Sequence, residues 1–282
     1  MYPRQFEYVA ATSLDEAVSA LSGAEFAKVM SGGMSLIPMM KLRLLSPDVV
    51  VDIGRVPGLD QISDGGDYIT IGALVRHGQT ASAQNLPRAL VDAAAWTGDV
   101  QVRNRGTTCG AVAHADIAAD QPAAVLALGA TMVAQGPNGT REIPADDFFV
   151  DTMTSALEPD EILTEIRIPK VGGATAYDKL GRRGGHTDYA VAGAAAWVQK
   201  DNGSVSACRV ALTGVGTKPM LAHGVAEALI GTDGSEQAVK EAAERATEGV
   251  TVLEDLYGSE EYKAHLAKVY TRRALTQALA QL

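Results

Sequence analysis

Two short runs of small residues, about seventy positions apart, carry the chemistry that this sequence offers: Lys28-Val29-Met30-Ser31-Gly32-Gly33-Met34-Ser35 and Arg105-Gly106-Thr107-Thr108-Cys109-Gly110-Ala111. In the first, a short apolar strand at Val29-Met30 runs into two glycines and a serine, so successive backbone N–H groups turn toward one point with no Cβ in the way. In the second, Gly106, Thr107, Thr108 and Gly110 offer the same exposed backbone and add two hydroxyls. Bare N–H groups bind anions, and two such loops suit the two phosphates of a dinucleotide. Taken singly, either run also reads as a plain tight turn.

Other chemistries fit the residues poorly. His77, His114, His186, His223 and His265 form no His-x-x-x-His pair, and Cys109 and Cys208 form no Cys-x-x-Cys pair, so no catalytic metal is expected. Two thiols fall short of the four that hold an ordinary iron–sulfur cluster, and their separation argues against a disulfide framework. Ser35 sits in no Gly-x-Ser-x-Gly elbow. Gly32-Gly33 lacks the Gly-x-Gly-x-x-Gly spacing of a nicotinamide site although Asp52 falls near the expected distance, and Pro38 with the strand that follows argues against a doubly wound sheet. A formal charge of -10 is the wrong sign for a phosphate backbone as main partner. The first residues have no apolar signal core, and no run approaches the ~18 apolar residues of a membrane span, so a cytoplasmic protein is expected.

The elements that must position the two runs are legible from pattern. A helix capped by Thr12 or Ser13, with Leu14, Ala17, Val18 and Leu21 on one face, and a buried strand over 49–53 make a small βα layer of about residues 1–55. Short β-elements follow, among them Tyr68–Gly72, with a helix over 88–96 ahead of the second run. Asp120 is placed to N-cap a helix that Gly129 ends, Gly136-Pro137-Asn138-Gly139 is a hairpin-like turn, and 161–168 alternates as a strand stopped by Pro169. Pro169-Lys170-Val171-Gly172-Gly173 reads as a linker, dividing the chain into 1–171, with subdomains of about 1–55 and 56–171, and 172–282. Beyond it, strands over 175–180, 190–199 and 205–212 suggest an antiparallel sheet, and 225–230, 236–248 and 261–282 have helical spacing. The fold class is α+β.

Read with its flank, Ser31-Gly32-Gly33-Met34-Ser35-Leu36-Ile37-Pro38-Met39-Met40-Lys41-Leu42-Arg43 resembles the first flavin-binding segment of the FAD-carrying medium subunits of molybdenum hydroxylases, the family of the carbon monoxide dehydrogenase medium subunit and, more distantly, the xanthine dehydrogenase flavin domain. Gln101-Val102-Arg103-Asn104-Arg105-Gly106-Thr107, followed by Ala115-Asp116 and Asp120, is similar to the family's second signature. Tyr177-Asp178-Lys179-Leu180 leading to Asp188-Tyr189-Ala190 resembles the start of its C-terminal domain. The likeness runs over nearly the whole length.

The resemblance implies a two-lobed, PCMH-type FAD domain followed by an antiparallel sheet with helices, with FAD in the cleft between these parts. It implies that Val29, Met30, Ser31, Gly32, Gly33, Met34 and Ser35, with Gly106, Thr107, Thr108, Cys109, Gly110 and Ala111, cradle the pyrophosphate, Thr107 adding a hydroxyl contact. Asp120 would accept hydrogen bonds from the ribose or adenine end, Lys179 would sit near the flavin and Tyr189 close to the isoalloxazine, with Asp116 and Ile168 also at the cofactor. Each side chain keeps a plainer reading: Asp120 as a cap, Asp116 as a loop carboxylate, Lys179 as a solvated strand residue, Tyr189 as a core aromatic. The implied activity is electron transfer from 2Fe-2S clusters in a small subunit to an external acceptor, with substrate oxidised at a molybdenum cofactor in a large subunit, in a dimer of heterotrimers. No catalytic residue is required of this chain. Departures from the pattern are Cys109 and Ala111 in the second run, Met34 in the first, and a longer 181–187 segment. A free-standing FAD oxidoreductase and a flavin-less scaffold are the alternatives.

Overall fold

The computed structural model describes all residues, 1–282. The β-branched run Val49-Val50-Val51 makes the middle strand of a three-stranded parallel sheet, flanked by Glu7–Ala10 and Ala27–Met30. Both expected caps act on its first helix, Leu14–Ser22: the Ser13 hydroxyl accepts the Glu16 N–H at 3.1 Å, while Thr12 donates its N–H and hydroxyl back to the Glu16 carboxylate. The run after the first glycine pair is itself a helix, Leu36–Leu42. Pro38 is tolerated there because it lies in the first turn, where an N–H has no intrahelical partner.

A five-stranded antiparallel sheet forms the second lobe, ordered Ile62–Asp64, Tyr68–Gly72, Ile162–Pro169, Thr131–Gly136, Gly139–Pro144. Pro169 does not stop the strand before it; it is the last paired residue, opposite Tyr68. Further short helices escape sequence reading, among them His77–Ser82, Val100–Arg105 and Thr108–His114. At two turns or fewer, none shows a measurable period. Asp120 also differs from expectation: Ala119 is the cap and Asp120 is the first residue of the helix Asp120–Ala127.

Apart from a two-stranded ribbon, Phe149–Asp151 with Thr154–Ser155, the remaining strands, Ala174–Gly181, Ala190–Asp201, Ser204–Thr213 and Met220–Leu221, form a four-stranded antiparallel sheet. Period-two alternation gives it two buried faces. Tyr177, Ala195 and Ala211 join the core shared with the first two sheets, whereas Ala194, Ala196, Val198 and Val210 face a second core closed by the helices His223–Leu229, Glu236–Glu244 and Glu260–Leu279. The third sheet is therefore the partition between two cores, and side chains on its inner face reach the second lobe. No helix is long and apolar enough to cross a membrane.

Candidate functional site

The two small-residue runs meet. A Cβ on Gly32 would fall 2.2 Å from the Arg105 carbonyl oxygen and 2.8 Å from Gly106 Cα, so backbone packs directly on backbone. Beside this contact the Ser31 and Thr107 hydroxyls are 2.9 Å apart. The Arg76 guanidinium donates to the same Arg105 carbonyl and holds the second run from behind. Gly33 has φ +72°, the left-handed region that turns the chain into the Leu36–Leu42 helix.

What this contact displays is a row of unpaired donors. The backbone N–H groups of Ser31, Gly32, Gly33, Met34 and Ser35 find no protein acceptor. Four of the five residues are buried or half-buried, Met34 alone being exposed, and buried N–H groups are nearly always paired, so the open set is suited to an anion. The second run contributes less than its composition suggests, because it is the start of a helix. Thr108 N–H donates to the Val75 carbonyl at 3.0 Å, and Gly110 N–H to Thr107 Oγ1 at 3.1 Å, leaving Thr107 and Cys109 N–H free. The Thr107 hydroxyl, expected to contact the cofactor, also caps this helix and links to Ser31. Cys109 buries its side chain, donating Sγ–H to the Ile71 carbonyl at 3.3 Å, and burial holds its thiol far above the ordinary range. Its φ is helical, so the substitution of cysteine for glycine leaves the cradle undisturbed.

Both runs line one cleft of about 890 Å³, a size suited to a small-molecule or cofactor site. Its walls come from the first lobe, near Phe26 and Lys28, and from the second, near Met153 and Glu158 to Leu163. It lies between the two lobes of the first 171 residues, not between them and the third sheet. The Tyr189 phenol, at the start of the third sheet's second strand, lies near Ser35. Tyr189 is 41% exposed, so it is not a core aromatic. Burial chiefly, then the Asp116 carboxylate, push its phenol up, while Ser35 and Arg182 pull it down. Asp116 is half-buried and closes a turn by accepting the Ala118 N–H at 2.9 Å.

Three further residues expected at the cofactor are buried and make their contacts within the protein. Lys179 is fully buried and donates to both Asp120 oxygens at 2.7 Å, to the Trp96 carbonyl at 3.2 Å and to the Asp188 carbonyl at 2.6 Å. Its ammonium is satisfied within the protein and does not reach out toward a ligand. Asp120, 4% exposed, also accepts from the Tyr177 phenol, and the Thr97 hydroxyl lies 3.4 Å from its other oxygen. The physical reason is that a buried lysine requires a buried counterion, and Asp120 is that counterion. Ile168 packs in the core at 1% exposure, paired with Ile69. Conversely, sequence reading passes over His77, which lines the cleft, because a lone histidine after an apolar run carries no distinguishing spacing.

Comparison with known proteins agrees with this architecture. Residues 4–171 match the family model of the FAD binding domain in molybdopterin dehydrogenase, and residues 175–278 that of the CO dehydrogenase flavoprotein C-terminal domain. The chain is 40% identical to the carbon monoxide dehydrogenase medium chain of Hydrogenophaga pseudoflava, covering 100% of this chain and 99% of that one. It is 38% identical to the 6-hydroxypseudooxynicotine dehydrogenase complex subunit alpha of Paenarthrobacter nicotinovorans, over 99% of this chain and 96% of that one. Among solved structures it superposes with TM-score 0.94 on the Hydrogenophaga pseudoflava carbon monoxide dehydrogenase lacking the Mo-pyranopterin moiety, at 40% identity and covering 100% of this chain and 99% of that one. With quinoline 2-oxidoreductase from Pseudomonas putida 86 the TM-score is 0.93 at 32% identity, over 100% of this chain and 99% of that one.

Two outcomes are expected from the buried groups. Asp120→Asn leaves the Lys179 ammonium without its counterion and should destabilise the protein by about 3–5 kcal/mol in urea unfolding, whereas Asp120→Leu with Lys179→Met should recover much of that loss. Burial, reinforced by Arg103, holds the His77 imidazole down at about 4. The unfolded chain takes up that proton near pH 6.5 and the folded chain does not. Stability from this group is therefore intact above pH 6.5 and lost as pH falls toward 4, and the wild type should lose roughly 3 kcal/mol relative to His77→Phe between pH 7 and pH 4.

Proposed function

We propose that this chain, which belongs to the family of FAD-binding subunits of molybdopterin dehydrogenases, carries FAD in the interlobe cleft and relays electrons from 2Fe-2S clusters in a small partner subunit to an external acceptor. Substrate is oxidised at a molybdenum cofactor in a large partner subunit, in a cytoplasmic dimer of heterotrimers. The observation that carries the cofactor assignment is the row of acceptor-less N–H groups at residues 31–35, with those of Thr107 and Cys109 in the lining of the same cleft. That donor set fits a pyrophosphate, and the cleft continues past it between the lobes with room for the rest of a dinucleotide.

FAD supplies the redox chemistry when bound, and the residues of this chain hold and orient it. Gly32 lets the two runs close on each other, Ser31 and Thr107 tie them, and Arg76 fixes the second run. Tyr189 brings the third sheet to the Ser35 end of the cradle. Lys179 and Asp120 act at a distance, by fixing the sheet that carries Tyr189 against the second lobe. No acid or base is asked of the chain. The similar likeness to a carbon monoxide enzyme and to a pseudooxynicotine enzyme is what a subunit that never touches substrate should show. We also place the domain division at 171/172, where Ile162–Pro169 belongs to the second sheet and Ala174–Gly181 opens the third.

The test is uptake of FAD, followed by quenching of flavin fluorescence. Wild type should take up one FAD per chain. Gly32→Ala, whose methyl has no room against Arg105, should bind about 100-fold more weakly while keeping its circular dichroism, since several charge-assisted N–H contacts shift together. Cys109→Ala should bind as wild type. Wild-type protein that takes up no flavin, or Gly32→Ala that binds it unchanged, contradicts the assignment.

A further inference from the structure

His77 lies on the cleft wall with one ring nitrogen turned inward to the protein and the other left open. Its ring edge packs on the second run: a Cβ on Gly106 would stand 2.8 Å from His77 Cδ2 and 3.0 Å from Nε2. The main chain fixes the residue there as well, through His77 N–H donating to the Gly106 carbonyl at 2.9 Å. On the inner side, Nδ1 is 3.1 Å from Gln121 Nε2. The same amide nitrogen donates to Thr97 Oγ1 at 2.6 Å, and Thr97 gives its own proton to the Ala93 carbonyl at 2.7 Å. Thr97 Oγ1 therefore accepts from Gln121, the amide presents its NH₂ group to both neighbours, and Nδ1 must be the acceptor. This orientation leaves Gln121 Oε1 buried without a partner, a cost that the two donated bonds offset. The ring proton then resides on Nε2, which has no protein partner and is not among the fully occluded polar atoms.

We propose that His77 is an uncharged hydrogen-bond donor to the bound dinucleotide, presenting Nε2–H to an acceptor oxygen beside the second small-residue run, with Gln121 as the positioning residue that locks its tautomer. This rests on the reading of the cleft as the FAD site. The buried imidazole stays neutral at physiological pH, so it contributes direction without adding a positive charge beside a flavin whose reduction changes its own charge. The lock extends inward: Thr97 also contacts Asp120, so the tautomer of His77 is continuous with the ion pair that seats the third sheet.

Two measurements decide it. In apoprotein labelled with ¹⁵N-histidine, His77 should show the Nε2–H tautomer and remain neutral down to pH 5.5; an Nδ1–H tautomer or an ordinary titration near pH 6.5 overturns the proposal without reference to flavin. In FAD titration, His77→Phe, which keeps the ring shape, should bind about 10-fold more weakly, the effect of one lost hydrogen bond to an acceptor oxygen. His77→Gln, which returns an N–H donor near the Nε2 position, should stay within about 3-fold of wild type. Gln121→Met, which keeps the imidazole but releases the tautomer, should fall between them. Equal affinity of His77→Phe and wild type overturns the proposal. Wild type that binds no FAD overturns the cofactor assignment instead, and the tautomer result then stands alone.

Discussion

Everything at this site depends on the contact of bare backbone at Gly32 with the Arg105-Gly106 peptide. Any side chain at position 32 would separate the lobes there, since no Cβ fits. Because they touch, the Ser31–Thr107 hydroxyl pair forms, the two helix starts converge, and the N–H groups of residues 31–35 are held open toward one cleft. An open row of donors is unfavourable in an empty protein and favourable around an anion. In the proposed site the cofactor's phosphates would complete hydrogen bonding that the chain leaves incomplete.

A second constraint keeps that arrangement in register with the rest of the molecule. Lys179 enters from the third sheet and meets Asp120 at the start of a helix of the second lobe, where Tyr177 donates to the same carboxylate and the Thr97 hydroxyl lies beside it. A buried ion pair of this kind adds little net stability, yet it accepts few alternative geometries. It fixes where Tyr189 emerges, and through Thr97 and Gln121 it reaches His77 on the cleft wall. In the proposed arrangement the buried pair supports from behind the residues that face the cleft.

The sheets were legible because alternation and hairpin turns are local signals: the Gly136-Pro137-Asn138-Gly139 turn and the 161–168 alternation each find their place. The first run was legible for the same reason, since Gly32-Gly33 after a strand has few other uses. The second run misleads because its helix, Thr108–His114, is too short to show a period, and its threonines serve as cap and core contact before they serve a ligand. Asp120 and Lys179 carry the right types for cofactor contact, but sequence shows a charge without its burial, and burial decides that these two find each other. His77 was silent because its meaning lies in Gln121 and Gly106, 44 and 29 positions away, which only the fold brings to it.

The central claim is that the open N–H groups of the first run hold the cofactor's phosphates, with the third sheet's ion pair outside the binding surface. Amide hydrogen exchange with and without FAD tests it most directly. The account predicts strong new protection at residues 31–35 with Cys109, and little change along the strand Ala174–Gly181 that carries Lys179. Protection confined to the third sheet, with the exchange of residues 31–35 unaltered, would contradict it.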